Sequence, residues 1–365
     1  MTQNAYLVWG NHLYTHGIGE IVFTVDASLG GYHRLRPTGT IKPGKINVII
    51  DEFSNPYFVR RLAEIKKEYP GTRYVFIATE FVTPISVLGL EFGRTFNFFG
   101  NPGDWLNVLR NRNILLQATG RLPSYMHRRF AGFVDALPLC DVLAFVHPKI
   151  GPGLKELSAA CSGLIAPPMA LYPELHLDFD RLQEQWATLP MGFDITGTLS
   201  KYRRRVMNKL EQRFARCGHN RPIWRHVPFT ESDPLEFGRS TMRFHYDREE
   251  KPNNTEGDKR YLFNINPPQQ SKWPFSSPMR IARAALLGQI PAITAKFNDH
   301  EIEAIAYRWD GKQESALHVM SLRIDRAKLL DSYMQAVKRY NVVAKDANKK
   351  FVEALELILS KPVES

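Results

Sequence analysis

Cysteine is scarce in this chain: three in 365 residues, Cys140, Cys161 and Cys217, with no metal-ligand spacing among them. So sparse and odd a set excludes a disulfide framework and points to reduced thiols in a cytosolic protein. No apolar run approaches about 18 residues, which excludes a transmembrane helix. Met1-Thr2-Gln3-Asn4 offers neither a basic nor an apolar leader region, so no signal peptide is expected. Short repeats and low-complexity tracts are absent. Acidic residues are outnumbered, 37 Asp and Glu against 48 Lys and Arg, for a formal net charge of +11. That balance suits nucleic acid, an anionic membrane surface or phosphorylated substrates, and equally a scattered solvated surface. Two local clusters stand out: Arg203-Arg204-Arg205 with Arg213 and Arg216, and Arg128-Arg129.

What remains is the composition of a soluble globular protein, 44% hydrophobic and 23% charged. The length suits two domains, each with its own core. From Lys45 onward the pattern is strand then helix. Ile46 to Ile50 reads as a buried strand ending at Asp51-Glu52. Pro56 to Tyr69 has apolar Phe58, Val59, Leu62 and Ile65 at helical spacing. Tyr74 to Thr79 is a second strand, ending at Glu80. Residues 83–105, rich in Gly, Phe and Asn, read as a long aromatic loop, either functional or an ordinary packed connection. Ser124 to Pro138 reads as a helix with a basic face. Strands follow at Val142 to Val146, ending at His147, and at Gly163 to Ala166.

Tyr172 to Pro190 reads as a polar interdomain segment, with the boundary near 185. The expected organisation is 1–185, 186–340 and a terminal helix in 341–365. A fresh strand-helix start follows: Met191 to Thr196, a Gly197-Thr198 turn, then a helix from Tyr202 to Arg216. The most informative stretch runs from Lys259 to Trp309. It reads as strand Tyr261 to Asn266, a polar loop, a Ser276-Ser277-Pro278 helix start, a helix from Met279 to Leu287, a Gly288 stop, and strand Ile290 to Ala295. This is a βαβ unit, and ligands of such sheets sit beyond the carboxyl ends of the strands. Helices are expected at Asp299 to Tyr307, Asp325 to Lys338 and Val342 to Leu359. The predicted fold class is therefore α/β, with two Rossmann-like domains facing a cleft.

Two loops of the second half suit a diphosphate. Gly197-Thr198 lets backbone approach a phosphate, with Lys201, Tyr202 and Arg203 in the next turn. The Ser276-Ser277 helix start is the other. Their order and spacing resemble bacterial glycosyltransferases of the GT-B fold, the branch acting on surface polysaccharides and related glycans. The likeness rests on Ile46 to Phe53, Tyr74 to Phe81, Phe193 to Arg205, Tyr261 to Pro267 and Ser277 to Ile293.

The resemblance implies transfer of a sugar from a nucleotide-activated donor to a glycan, lipid-linked or protein acceptor. It implies donor binding in the second domain, acceptor binding in the first, and a last helix crossing back to the first. Gly197, Thr198, Arg203, Asn264, Asn266, Ser276, Ser277 and Arg280 would line the donor site. No cofactor or bound metal is expected, because basic side chains and helix dipoles hold the leaving diphosphate; Asp178-Phe179-Asp180 reads as linker. Phe275 and Arg283 stand where many retaining members carry glutamates, so stereochemistry and nucleotide are left open. An inverting transfer needs a general base. The strand-end carboxylates Asp51, Glu52 and Glu80 qualify, Glu80 first and Glu52 second, with His147 as a further candidate. His300 and Glu301 could touch donor sugar hydroxyls or cap the next helix. The alternatives are a DNA-modifying glucosyltransferase and a non-catalytic nucleotide-sugar-binding module. Nucleic acid is the less favoured partner, and the basic helices suit peripheral contact with the inner face of a membrane.

Overall fold

The computed structural model describes residues 5–9, 36–38, 40–51, 53, 55–79, 82–87, 90–96, 125–147, 150–159, 161–194, 201–216, 261–267, 278–286, 288–294, 301–309 and 326–360. The chain divides into two compact units. One comprises Met1–Tyr14, Thr24–Tyr172 and Asp346–Ser365; the other comprises Thr15–Phe23 and Pro173–Lys345.

The first unit is built on a six-stranded parallel sheet. Its strands are β1 (Ala5–Trp9), β2 (Arg36–Thr38), β3 (Ile46–Ile50), β4 (Arg73–Ala78), β7 (Val142–Phe145) and β8 (Met169–Ala170), in the order β2-β1-β3-β4-β7-β8. The central strands are near-continuous apolar runs because helices cover both faces of a parallel sheet. Val48, Ile49, Val75, Phe76 and Leu143 are all fully buried. Helix α1 (Pro56–Glu68) follows β3. Asn55 caps it by accepting from Tyr57 N–H at 3.0 Å, and proline occupies the first turn. It buries Val59, Leu62 and Ile65, each worth about 1.5–3 kcal/mol. Helix α2 (Tyr125–Ala136) and helix α3 (Gly151–Ser158) are the described α-helices between β4 and β8. At the amino edge of the sheet, Asp141 accepts from Lys66 at 2.9 Å and from Tyr74 N–H at 2.8 Å.

The second unit holds a four-stranded parallel sheet in the order β12-β11-β10-β9. Its strands are β9 (Phe193–Asp194), β10 (Phe263–Ile265), β11 (Ile290–Thr294) and β12 (Tyr307–Trp309). Its helices are α4 (Phe179–Thr188), α5 (Lys201–Arg216), α6 (Pro278–Leu286) and α7 (Glu301–Ala304). Helix α6 stops where Gly288 adopts φ +70°, and Gln289 N–H closes the end on Ala284 O at 3.0 Å. A side chain at 288 would also meet Gln185 Oε1 at 2.0 Å.

The final helix, α8 (Arg326–Ser360), runs unbroken for 35 residues, where two helices were predicted. Two of its asparagines grip the extended segment after β8. Asn348 accepts from Tyr172 N–H at 3.0 Å and donates to Tyr172 O at 2.9 Å, within the first unit. Asn341 accepts from Leu175 N–H at 2.8 Å and donates to Leu175 O at 2.7 Å, within the second. The geometry fits: seven helical residues rise about 10.5 Å, and three extended residues span about 10 Å.

Several sequence expectations are corrected. Of the loop expected over 83–105, residues 83–87 and 90–96 belong instead to an antiparallel strand pair, β5 (Val82–Val87) with β6 (Leu90–Phe96), and 97–105 lies outside the described residues. No strand forms at Gly163 to Ala166. Pro167 and Pro168 lack donors, and the next strand is Met169–Ala170. The polar segment 172–190 contains α4, whose N-cap is Asp178, accepting from Arg181 N–H at 3.1 Å. Asp178 and Asp180 therefore begin a helix rather than a linker. The helix expected over 299–307 is cut to α7, because Tyr307 joins β12 beside Ala292.

Candidate functional site

Each unit presents the carboxyl ends of parallel strands, the edge at which α/β sheets bind ligands. In the first unit the order β2-β1-β3 means the chain steps one way from β1 to β2, then returns past β1 to β3. The switch point therefore falls between β1 and β3. Asp51 follows β3 directly there and is half-buried. Its Oδ1 accepts from Phe53 N–H at 2.6 Å.

Phe53 is the one described non-glycine residue with positive φ, +52°. A bulky side chain in that region carries about 1–3 kcal/mol of strain. Packing holds it: its ring lies 4.9 Å from Phe76, 5.5 Å from Phe133 and 6.2 Å from Phe58. Gly132 of α2 presses on its backbone so closely that a Cβ there would sit 1.9 Å from Phe53 O. Phe53 is thus held in this conformation by its packing. His147, at the end of β7, is buried, and its carbonyl accepts from Ile150 N–H at 2.9 Å at the start of α3. Glu52 and Glu80 lie outside the described residues.

In the second unit, the predicted donor residues separate into two groups. Asn264 is drawn into a buried network. Its amide donates to Gln289 Oε1 at 3.0 Å. Gln289 Nε2 in turn donates to Asp194 Oδ2 at 2.7 Å and to Tyr261 O at 2.8 Å. Asp194 Oδ2 also accepts from Tyr261 N–H at 3.0 Å. All three side chains are at most 2% exposed. The network ties β9, β10 and the entry to β11 together, because a buried carboxylate and buried amides are stabilised by hydrogen-bond partners.

The second group sits at the carboxyl edge. Asn266 extends the β10 ladder by donating its N–H to Ala292 O at 2.7 Å, and its amide donates to Asn264 O at 3.3 Å. Arg203, in the first turn of α5 and buried, donates from Nε to Pro267 O at 3.2 Å, which fastens that turn to the segment leaving β10. Arg280 holds the third position of α6 and is half-buried. Both helices begin on this edge, each with an arginine at its third position, and helix amino termini attract anions. Gly197, Thr198, Ser276 and Ser277 lie outside the described residues.

Sequence reasoning missed Gln289 and gave Asp194 no role. The signal was present: one amide between the Gly288 stop and an apolar strand. Among the described residues, no three His, Cys, Asp or Glu side chains gather as a metal ion would require, and no helix is long and apolar enough to cross a membrane.

No family model matches the sequence, and no curated protein matches it. Solved structures do. An α-glucosyltransferase in complex with UDP and a 13-mer DNA containing an HMU base superposes with TM-score 0.51 at 9% identity, over 98% of this chain and 100% of that one. An α,α-trehalose 6-phosphate synthase from Burkholderia multivorans matches with TM-score 0.47 at 8% identity, over 88% and 73%. The N-terminal domain of Candida albicans trehalose-6-phosphate phosphatase matches with TM-score 0.42 at 11% identity, over 86% and 70%. At these identities the likeness is one of fold. The chain has the α/β fold of that glucosyltransferase, the GT-B class its sequence resembles.

Proposed function

We propose that this protein transfers a sugar from a nucleotide-activated donor to a glycan, lipid-linked or protein acceptor. One observation carries the reading: the end-to-end structural likeness to an α-glucosyltransferase solved with UDP. The carboxyl edge of the second sheet is the donor side of this reading. Arg203 and Arg280, with the amino ends of α5 and α6, supply positive potential for a diphosphate, and Thr198 and Ser277 supply hydroxyl donors. That set stabilises a leaving diphosphate by charge and oriented dipoles, without calling on a metal ion. A carboxylate at the carboxyl edge of the first sheet, Glu80 or Glu52, accepts the proton of the attacking hydroxyl. In this scheme Asn264 and Asn266, both buried, support the donor edge from beneath.

The test is thermal. UDP at about 100 times its Kd stabilises the chain by about 2.7 kcal/mol, so the melting temperature rises with nucleotide concentration. A panel of nucleotide sugars then identifies the donor by its slow hydrolysis. Thr198→Ala and Ser277→Ala each weaken nucleotide binding, and Glu80→Gln abolishes hydrolysis while leaving binding intact. If no nucleotide or nucleotide sugar moves the melting temperature, the reading fails. Binding without hydrolysis or transfer marks a non-catalytic sugar-nucleotide module instead.

A further inference from the structure

Helix α5 is unusually cationic. Of its sixteen residues, Lys201, Arg203, Arg204, Arg205, Lys209, Arg213 and Arg216 are basic, and Glu211 alone is acidic. Arg203, Met207 and Leu210 form its buried face. At about 100° per residue, Arg205, Lys209, Gln212 and Arg216 fall within roughly 60° of one another, opposite that buried face. All four are exposed. They make a straight ridge about 16 Å long. Arg204 and Asn208, also exposed, flank it. Arg203 and Arg204 stand in the first turn, whose sequence holds no acidic residue, although the helix dipole disfavours positive charge there. The strain of holding like charges together is relieved by a polyanion laid along them.

We propose that this ridge docks the phosphodiester backbone of a nucleic acid. Arg205, Lys209 and Arg216 pair with phosphates, while Gln212 and Asn208 donate neutral hydrogen bonds to phosphate or sugar oxygens. A membrane surface is the weaker fit. A helix lying in a lipid interface needs Trp, Phe or Leu at its rim, and the largest apolar side chain among the described exposed residues of α5 is Ala215. The net charge of +11 adds long-range attraction. The contact carries no base readout, so binding is independent of sequence. The proposal goes beyond the transferase reading and does not depend on it.

The experiment uses the full chain and a fluorescein-labelled duplex, read by anisotropy. Three neutralised phosphates give a log–log salt slope of about −2.7, so affinity falls roughly 40-fold between about 50 and 200 mM KCl. Arg205→Glu with Lys209→Glu removes two contacts and flattens the slope to about −1, with at least a ~10-fold loss at low salt. The neutral pair Arg205→Gln with Lys209→Gln flattens the slope equally, guarding against misfolding of the charge-reversed chain. Neither variant changes UDP binding, which keeps this result separate from the transferase test. Flotation with phosphatidylglycerol vesicles recovers no protein. Absent duplex binding, an unchanged slope in both variants, or vesicle recovery that the variants abolish would each overturn the proposal.

Discussion

Asn264 is the residue at which two accounts of the second unit diverge, and Asn264→Leu separates them. As a donor contact it would raise the donor KM and leave stability alone. As part of the buried network it does the reverse. Leucine removes the 3.0 Å bond to Gln289 Oε1 and leaves that oxygen enclosed. A buried acceptor without its partner costs about 1–3 kcal/mol. Gln289→Met removes more, because the bond to the Asp194 carboxylate and the bond to Tyr261 O go with it. With hydrogen bonds to charged groups worth about 1.5–3 kcal/mol, the sum is about 3–5 kcal/mol. In the double variant the two losses overlap, since Asn264 has already lost its acceptor once Gln289 is gone. The combined loss then falls short of the sum by about 1 kcal/mol or more. Urea unfolding measures all three proteins, and hydrogen exchange across Phe263–Ile265 localises the effect. Should Asn264→Leu unfold within about 0.5 kcal/mol of wild type while its donor KM rises, the network is incidental and Asn264 belongs to the nucleotide.

Four further outcomes are expected. Gly132→Ala drives a Cβ into Phe53 O and forces α2 away from the turn after β3; a loss of about 2–4 kcal/mol is expected by thermal melting, as for overpacking at a backbone contact. Phe53→Gly relieves the strain at φ +52° but forfeits three ring contacts, so it destabilises by about 2–4 kcal/mol in urea despite the easier backbone. Burial pushes the Cys140 thiol up, and its Sγ lies 3.0 Å from Val142 O; in a Cys161→Ser, Cys217→Ser background, a disulfide reagent should titrate no thiol until the chain is unfolded. Arg280→Ala should weaken UDP binding by about 10-fold or more in calorimetry, with the loss shrinking at high salt, because it removes one phosphate-facing charge.

The legible parts of this chain are those where one period dominates. The runs at 46–50, 74–78 and 142–145 are apolar but for Asn47, and each becomes an interior strand of the first sheet. Gly288 announced a helix end and takes the left-handed geometry that such an end uses. The illegible parts depend on contacts between distant residues. Nothing local distinguishes the paired strands within 82–96 from a loop, since Pro84, Gly89 and Gly93 punctuate the stretch as they would a loop. The order β2-β1-β3, which sets the switch point beside Asp51, follows from which strands pair across dozens of residues. Asn264 and Asn266 share one short strand region and polar character, yet one is claimed by a glutamine 25 positions on. A side chain's partner is a tertiary fact, and the sequence offered only the type of group that would need one.

The spacing of the two asparagines in α8 has a consequence for how such a chain can change. Asn341 and Asn348 hold Leu175 and Tyr172 through paired bonds whose pitch matches a helix on one side and an extended strand on the other. One residue inserted between them turns the far asparagine by about 100° about the helix axis and lifts it by about 1.5 Å, out of reach of its backbone partners. Lengthening the helix there by a whole turn restores the facing but lifts the asparagine about 5.4 Å along the axis. Evolution or an engineer can therefore vary the exposed side chains between them, Val342, Lys345 and Asp346, but not the number of residues, whereas single-residue insertions beyond either asparagine leave the pitch between the two grips intact.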